Sequence, residues 1–89
     1  MTYQCLISGK VQGVYYRSYV QEMASEAGFS GYVMNLSNGE VEACVTLKDE
    51  KELALFLDIL KAGSPYSSVD HINTRLIDVK FSDGFMIYR

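Results

Sequence analysis

Residues 31–47, GYVMNLSNGEVEACVTL, contain two apolar runs separated by Ser37-Asn38-Gly39. An Asn-Gly pair between alternating apolar residues is a strong short-range signal for a β-hairpin. The stretch therefore predicts two antiparallel strands, from Gly31 to Leu36 and from Val41 to Leu47. This hairpin divides the rest of the sequence into two parts, and each part carries a strand and a helix of its own.

A strand and a helix precede the hairpin. Tyr3 to Ser8 mixes apolar and polar residues as a half-buried strand does, and it ends at Gly9. After a loop to about Tyr15, apolar residues recur at intervals of three and four, which predicts an amphipathic helix that Gly28 is placed to end. The apolar positions of this helix are Tyr16, Val20, Met23, Ala24 and Ala27.

A second helix and two strands follow the hairpin. Asp49 can cap the helix, with Glu52 three residues later in the capping-box position, and the helix should end near Ala62. Its apolar face consists of Leu53, Phe56, Leu57 and Leu60. Gly63-Ser64-Pro65 then turns the chain, and Val69 to Ile77 and Phe85 to Tyr88 suit two more strands.

The order βαββαβ with a short terminal strand predicts an α+β fold. Right-handed crossovers leave few arrangements for two such halves, and the one we expect is a ferredoxin-like two-layer sandwich. Its antiparallel sheet would have strand order 4-1-3-2 plus the short C-terminal strand, with both helices on one face. Because 89 residues suffice for one compact core, we expect a single domain over residues 1–89.

Charge and composition limit the partners of the chain. The net charge is -3 and the lysines and arginines are scattered, which argues against a nucleic-acid-binding surface. No run approaches the roughly 20 apolar residues of a membrane span, and no targeting segment is evident at the start. We therefore expect a cytoplasmic monomer without nucleic-acid or membrane partners. Any anionic ligand should be bound by a local site, because the net charge of the protein repels it.

The two cysteines, Cys5 and Cys44, leave two interpretations open. They are too few for a disulfide framework, and they lack the spacing and the histidine partners of a zinc site, so we expect no metal. Buried free thiols are the first interpretation. The second is a disulfide, because the first and third strands are neighbours in the predicted sheet.

The loop from Gly9 to Arg17 is a candidate anion site. It lies between a strand and a helix start, where successive backbone N–H groups can converge on a phosphate. Arg17 in the first helical turn adds a full positive charge with a fork that matches phosphate oxygens. The loop lacks the Gly-Lys-Ser/Thr ending of a nucleotide P-loop, and glycine spacing alone also occurs there for steric reasons.

The residues of this loop resemble the signature of the acylphosphatase family. The matching stretches are Gly9-x-Val11-Gln12-Gly13-Val14-x-Tyr16-Arg17, Asn35 within Gly31-Tyr32-Val33-x-Asn35, Asn38-Gly39-x-Val41-Glu42, and Gly63-Ser64-Pro65 with Val69. The resemblance covers nearly the whole chain, and the family is itself a ferredoxin-like domain of about this length. Three positions depart from the family pattern: Tyr15 replaces a common glycine, Tyr16 replaces phenylalanine and Asn38 replaces aspartate.

The resemblance implies an enzyme that hydrolyses acyl phosphates to a carboxylate and inorganic phosphate without metal or cofactor. Inorganic phosphate would be a product or an inhibitor. Arg17 and Asn35 would form the catalytic pair, with the arginine binding phosphate and the asparagine positioning water. The rest of the phosphate cradle would be Gln12, Gly13, Val14, Tyr15 and Tyr16. If the cradle demands a positive φ at Tyr15, the tyrosine strains it.

Two other functions compete with hydrolysis. The ferredoxin-like fold hosts many activities, so the chain could be a non-catalytic binding module, although such a module needs neither Arg17 nor Asn35. The other rival is an RNA-binding sheet, which requires exposed aromatic residues within a basic surface. The acidic balance of the chain counts against that rival.

Overall fold

The computed structural model describes all 89 residues, and its helices and strands follow the predicted order. The elements are β1 (Thr2–Lys10), α1 (Tyr16–Glu26), β2 (Ser30–Asn35), β3 (Val41–Thr46), α2 (Glu50–Ala62), β4 (Ser68–Ile77) and β5 (Phe85–Tyr88). None of the helices is long and apolar enough to cross a bilayer.

The five strands form one sheet in the order β4-β1-β3-β2-β5. This confirms the predicted order, and the first four strands pair antiparallel as expected. The prediction gave β5 neither a direction nor a partner strand; this strand pairs parallel to β2, with Gly31 opposite Phe85, and makes the sheet mixed. The path of the chain is the reason. The last residue of β4 and the first residue of β2 lie at the same end of the strands, and β5 enters the sheet from that end.

Both helices pack on one face of the sheet and enclose the core with it. Strand positions alternate, so that Cys5 and Ile7 on β1 and Ala43 on β3 face the helices. The core residues of the helices include Val20, Ala24, Phe56 and Leu60. At two predicted apolar positions of α1 the residue is exposed instead, because Met23 and Ala27 lie at the margin of the buried stripe.

The two cysteines lie on adjacent strands but on opposite faces of the sheet. Cys5 is opposite Ala43, whereas Cys44 is opposite Gln4. A register offset of one residue turns a side chain to the other face, so the two sulfur atoms cannot meet. Both cysteines are free and buried, and the disulfide alternative is therefore wrong.

Asp49 caps α2 as the sequence predicts. Its carboxylate accepts a hydrogen bond of 2.9 Å from the Glu52 N–H. The reciprocal half of the expected capping box is shifted by one residue, because the Glu52 carboxylate accepts from the Lys48 N–H at 2.9 Å. The first turn of α2 is thus fixed directly after β3.

Candidate active site

A cleft of about 330 Å³ opens where the loop after β1, the end of β2 and the end of β5 meet. Its lining residues are Val11, Gly13, Tyr15, Tyr16, Arg17, Ser18, Asn35, Ile87 and Arg89. Arg17 and Asn35 lie on different elements and 18 positions apart in the sequence. The fold therefore brings the two principal candidates of the sequence analysis into one cavity.

Free backbone donors are concentrated along one side of this cleft. The N–H groups from Gln12 to Ser18 donate to no acceptor within the protein, and α1 begins at Tyr16 without a side-chain cap. The unpaired N–H groups at a helix start carry partial positive charge. The loop and the first turn of α1 together can therefore bind an anion through the main chain.

Three side-chain hydrogen bonds hold this loop in place. The Gln12 amide donates to the carbonyl oxygens of Leu36 and Glu40, at 2.8 Å each, and ties the loop to the β2–β3 hairpin. The buried Ser64 hydroxyl donates to the Val14 carbonyl at 2.6 Å. Every partner is fixed to an element of the sandwich or to its turns, so the loop is positioned before any ligand arrives.

The hydroxyl of Tyr16 supplies a further hydrogen bond at the start of α1. It donates to the carbonyl oxygen of Leu60 at 2.8 Å and joins the start of α1 to the end of α2. Burial raises the pKa of the Tyr16 hydroxyl, and the nearby Tyr19 and Cys5 raise it further. The hydroxyl therefore stays protonated and remains a donor at physiological pH.

Arg17 is half-buried in the first turn of α1, and β5 positions its side chain. Its Nη1 atom donates to the carbonyl oxygen of Tyr88 at 2.9 Å. A guanidinium has five N–H groups in a fixed planar arrangement, so this one contact leaves others for a ligand. No carboxylate lies within ion-pair distance of Arg17, since the only salt bridge in the protein joins Lys48 to Glu52.

Asn35 is the last residue of β2, directly before the hairpin turn. Its Oδ1 atom is the one buried side-chain polar atom of the protein that has no hydrogen-bond partner. An unsatisfied buried acceptor costs free energy unless a donor reaches it. In this cleft the donor that fits is a water molecule or a protonated ligand oxygen.

Tyr15 has a left-handed backbone conformation, with φ of 62° and ψ of 22°. It is the only residue other than glycine with a positive φ, so the strain anticipated at this position is present. Gly13, two residues earlier, also has a positive φ, of 72°. These two left-handed residues turn the loop into the start of α1.

The charge of the cleft opposes that of the whole protein. The net charge of the chain is -3, yet no aspartate, glutamate, histidine or cysteine lines the cleft. Arg17 and Arg89 are its two charged side chains. An anion is therefore attracted locally while the protein as a whole repels it.

The predicted cradle residues do not all contribute in the same way. Gly13, Tyr15 and Tyr16 line the cleft with Arg17 and Asn35, whereas Gln12 and Val14 do not. The Gln12 side chain is engaged with the hairpin and the Val14 side chain is buried in the core. These two residues present only main-chain groups to the neighbourhood of the cleft.

Four lining residues were missed by the sequence analysis, namely Val11, Ser18, Ile87 and Arg89. Val11 and Ser18 immediately flank residues that were identified. Ile87 and Arg89 reach the cleft because β5 lies beside β2, where Tyr88 is opposite Met34 and Arg89 follows it next to Asn35. The only sequence signal for Arg89 was its charge, and nothing placed it near the loop.

Comparison with known proteins matches the chain to one family. The family model "Acylphosphatase" matches residues 3–87. An acylphosphatase of Deinococcus radiodurans is 39% identical over 88 residues, which are 99% of this chain and 100% of that protein. An acylphosphatase of Thermus thermophilus is 40% identical over 84 residues, with 93% of each chain covered.

The solved structures give the same result. The crystal structure of an acylphosphatase from Bacillus subtilis superimposes with a TM-score of 0.89 at 31% sequence identity, and the match covers 99% of this chain and 98% of that one. The family model, the relatives and the shared fold all extend over nearly the whole sequence. The chain therefore belongs to the acylphosphatase family.

Proposed function

We propose that this chain hydrolyses the carboxyl-phosphate bond of acyl phosphates by in-line attack of a water molecule positioned by Asn35. Arg17 and the main-chain amides of residues 12–16 would hold the phosphate during the attack. Membership of the acylphosphatase family implies hydrolysis of acyl phosphates, and the residue roles are our inference. The observation that carries them is the convergence of Arg17, Asn35 and unpaired N–H groups on one cleft without a carboxylate.

The leaving group explains why such a simple site suffices. The conjugate acid of the departing carboxylate has a pKa of about 4, so the group leaves at neutral pH without being protonated. A general acid is therefore unnecessary, in keeping with a cleft lined by no histidine or acidic side chain. We expect hydrolysis to need neither a metal ion nor a cofactor, because main-chain amides and a guanidinium can stabilise the phosphoryl oxygens.

Phosphate binding is assigned to the loop and to Arg17. The phosphoryl group develops charge on its equatorial oxygens during transfer, and preorganised donors aimed at those oxygens lower the barrier. The loop is preorganised by the hydrogen bonds of Gln12 and Ser64, and the guanidinium is oriented by the Tyr88 carbonyl. None of these groups needs to move far before it meets the phosphate.

We assign Asn35 the role of positioning the attacking water. Its free, buried Oδ1 can accept a hydrogen bond from the attacking water, while its amide N–H can donate one to a phosphoryl oxygen. Fixing both reactants in one geometry is worth several kcal/mol of the barrier. We assign no proton transfer to Asn35, since its amide does not titrate.

The partners follow from the same site. The substrate would be a small acyl phosphate, and inorganic phosphate would bind the same donors as product or inhibitor. We expect a monomer to be active, because one chain supplies every lining residue of the cleft. Two free cysteines suit a reducing compartment, and we place the protein in the cytoplasm.

The decisive experiment measures steady-state hydrolysis of benzoyl phosphate in the presence of EDTA. The unmodified protein should be active, and Arg17→Ala should lower kcat/KM by about a hundredfold or more. Arg75→Ala is the matched control, because Arg75 is exposed on β4 and its guanidinium bonds to Gln4 on the sheet face opposite the helices. Lack of hydrolysis by the unmodified protein would refute the function, and activity only before EDTA treatment would refute metal independence.

A further inference from the structure

We propose that Tyr15 determines substrate specificity: its ring binds the acyl end of the substrate and favours aromatic acyl phosphates over acetyl phosphate. This inference rests on the proposed hydrolysis and extends it to a part of the substrate for which no residue has been assigned. The phosphate donors account for one end of the ligand only. The other end must lie against whatever lines the rest of the cleft.

The ring of Tyr15 has no structural partner within the protein. Tyr15 is 75% exposed, the largest exposed fraction among the large hydrophobic residues of the chain. The hydroxyls of Tyr3, Tyr16 and Tyr32 donate hydrogen bonds, whereas that of Tyr15 does not. Tyr15 also takes part in none of the aromatic pairs of the protein. Packing therefore gives no reason for an aromatic side chain here.

The backbone at this position is also unsuited to tyrosine. Tyr15 has a φ of 62°, a conformation that glycine adopts freely and that disfavours a bulky side chain. The residue is the N-cap of α1, yet it makes no side-chain cap hydrogen bond of the kind that serine, aspartate or asparagine makes. A side chain that stabilises neither this backbone conformation nor the cap nor the core is a candidate for contact with a ligand.

The position of the ring fits the acyl group. Tyr15 belongs to the loop that carries the free N–H groups, and it lines the same cleft as Arg17 of the first helical turn. Ile87, which is 36% exposed, contributes a second apolar surface to the same cavity. A phosphate held by the amides thus has exposed apolar surface beside it, where the acyl group can displace water.

An aromatic acyl group gains most from this surface. A benzoyl ring can stack on or lie edge-to-face with the tyrosine ring, whereas an acetyl group offers a single methyl. Both substrates carry the same phosphate group, and in both the leaving group is a carboxylate. A comparison between them isolates the contribution of the acyl end.

The test compares kcat/KM for benzoyl phosphate and acetyl phosphate in three variants. Tyr15→Gly removes the ring and keeps the left-handed backbone, Tyr15→Phe keeps the ring, and Tyr66→Ala removes an exposed ring, 68% accessible, that does not line the cleft. We expect Tyr15→Gly to lower the ratio of benzoyl to acetyl kcat/KM by about fivefold or more. Tyr15→Phe and Tyr66→Ala should keep the ratio of the unmodified protein.

The outcomes separate this inference from the proposed function. If the unmodified protein hydrolyses neither substrate, the proposed function fails. If it hydrolyses both and Tyr15→Gly leaves the ratio unchanged, the hydrolase assignment stands and the role of Tyr15 is refuted. An equal loss for both substrates in Tyr15→Gly, with thermal unfolding unchanged, would also refute it, because the ring would then serve the phosphate end.

Discussion

The guanidinium of Arg17 donates a 2.9 Å hydrogen bond to the carbonyl oxygen of Tyr88, which joins the first turn of α1 to the last strand of the sheet. This contact restrains the orientation of the guanidinium. A planar group held along one edge can present its remaining N–H groups to two oxygens of one phosphate. The shape of the arginine fork, as well as its charge, is therefore part of the site.

We expect Arg17→Lys to stay severely impaired even though it keeps the positive charge. Lysine cannot donate to Tyr88 and to two phosphate oxygens in one plane, so kcat/KM should fall by about a hundredfold. Arg75→Lys on β4 serves as the control for the substitution itself. Benzoyl phosphate kinetics decide the matter, and full activity of the Arg17→Lys variant would contradict a bidentate role.

Asn35→Ala should lower kcat by about a hundredfold or more while phosphate still binds. The reason is that the variant loses the groups that position water but keeps the loop amides and Arg17. Steady-state kinetics give kcat, and competitive inhibition by inorganic phosphate reports binding. Asn73→Ala, on exposed β4, is the matched control. An unchanged kcat in Asn35→Ala would remove this residue from the mechanism.

Arg89→Gln should raise KM by about threefold to tenfold and change kcat little. Arg89 lines the cleft without an ion-pair partner, so its charge should attract the substrate more than it stabilises the reacting group. Added salt should shrink the difference between the variant and the unmodified protein, since exposed charges are screened. A salt-independent difference, or a loss confined to kcat, would contradict an attractive role.

Ser64→Ala should destabilise the fold by about 1–3 kcal/mol, because it leaves the Val14 carbonyl without its 2.6 Å donor in a buried position. Urea denaturation gives the free energy of unfolding. Ser67→Ala is the comparison, since the Ser67 hydroxyl donates to the Ser64 carbonyl in a less buried position. Its loss should lower the free energy of unfolding by less. Equal costs for the two variants would argue against a special role of Ser64 in holding the loop.

The protein should lose stability in alkaline solution. Burial of the Cys5 thiol, with a contribution from Cys44, raises its pKa from 9.0 to about 12 in the folded protein. The unfolded chain therefore releases this proton first, so the stabilisation is complete below about pH 9 and is lost as the pH rises toward 12.

Each such group can contribute a decline of up to about 1.4 kcal/mol per pH unit. Urea denaturation under reducing conditions from about pH 8 to about pH 10 should show the free energy of unfolding falling, and Cys5→Ala should flatten part of the fall. Other groups whose pKa values are also raised by burial contribute to the remainder in that variant, namely Cys44, Tyr16, Tyr19 and Tyr32. A decline that is identical in Cys5→Ala would contradict the assignment to Cys5.

Much of the fold could be predicted because local signals and global topology agree. The Asn38-Gly39 turn, the start of α1 at Tyr16 and the Asp49 cap are each encoded by a few adjacent residues. The direction of β5 could not be predicted in this way. Four residues carry no information about which strand they will join, and the parallel pairing with β2 follows from the route of the chain around the sheet.

The candidate site could be predicted where it is local and not where it depends on β5. The loop from Gln12 to Arg17 and the residue at the end of β2 were identified from their motif. Four residues of that loop share a cleft with Asn35, namely Gly13, Tyr15, Tyr16 and Arg17. Ile87 and Arg89 were missed because their proximity is a product of β5 pairing. The sequence also could not show which face of the sheet Cys5 and Cys44 occupy, because a shift of one residue in the strand register reverses the face.

The parallel pairing of β5 with β2 also determines when the cleft can exist. Residues 31–34 cannot pair with residues 85–88 until β5 has been synthesised, and Arg17 lacks its carbonyl partner until Tyr88 has left the ribosome. A nascent chain stalled after β4 would contain the loop and Asn35 but would lack the β5 residues that line the cleft. Catalytic competence should therefore emerge only once β5 has been synthesised, later than the hairpin and both helices.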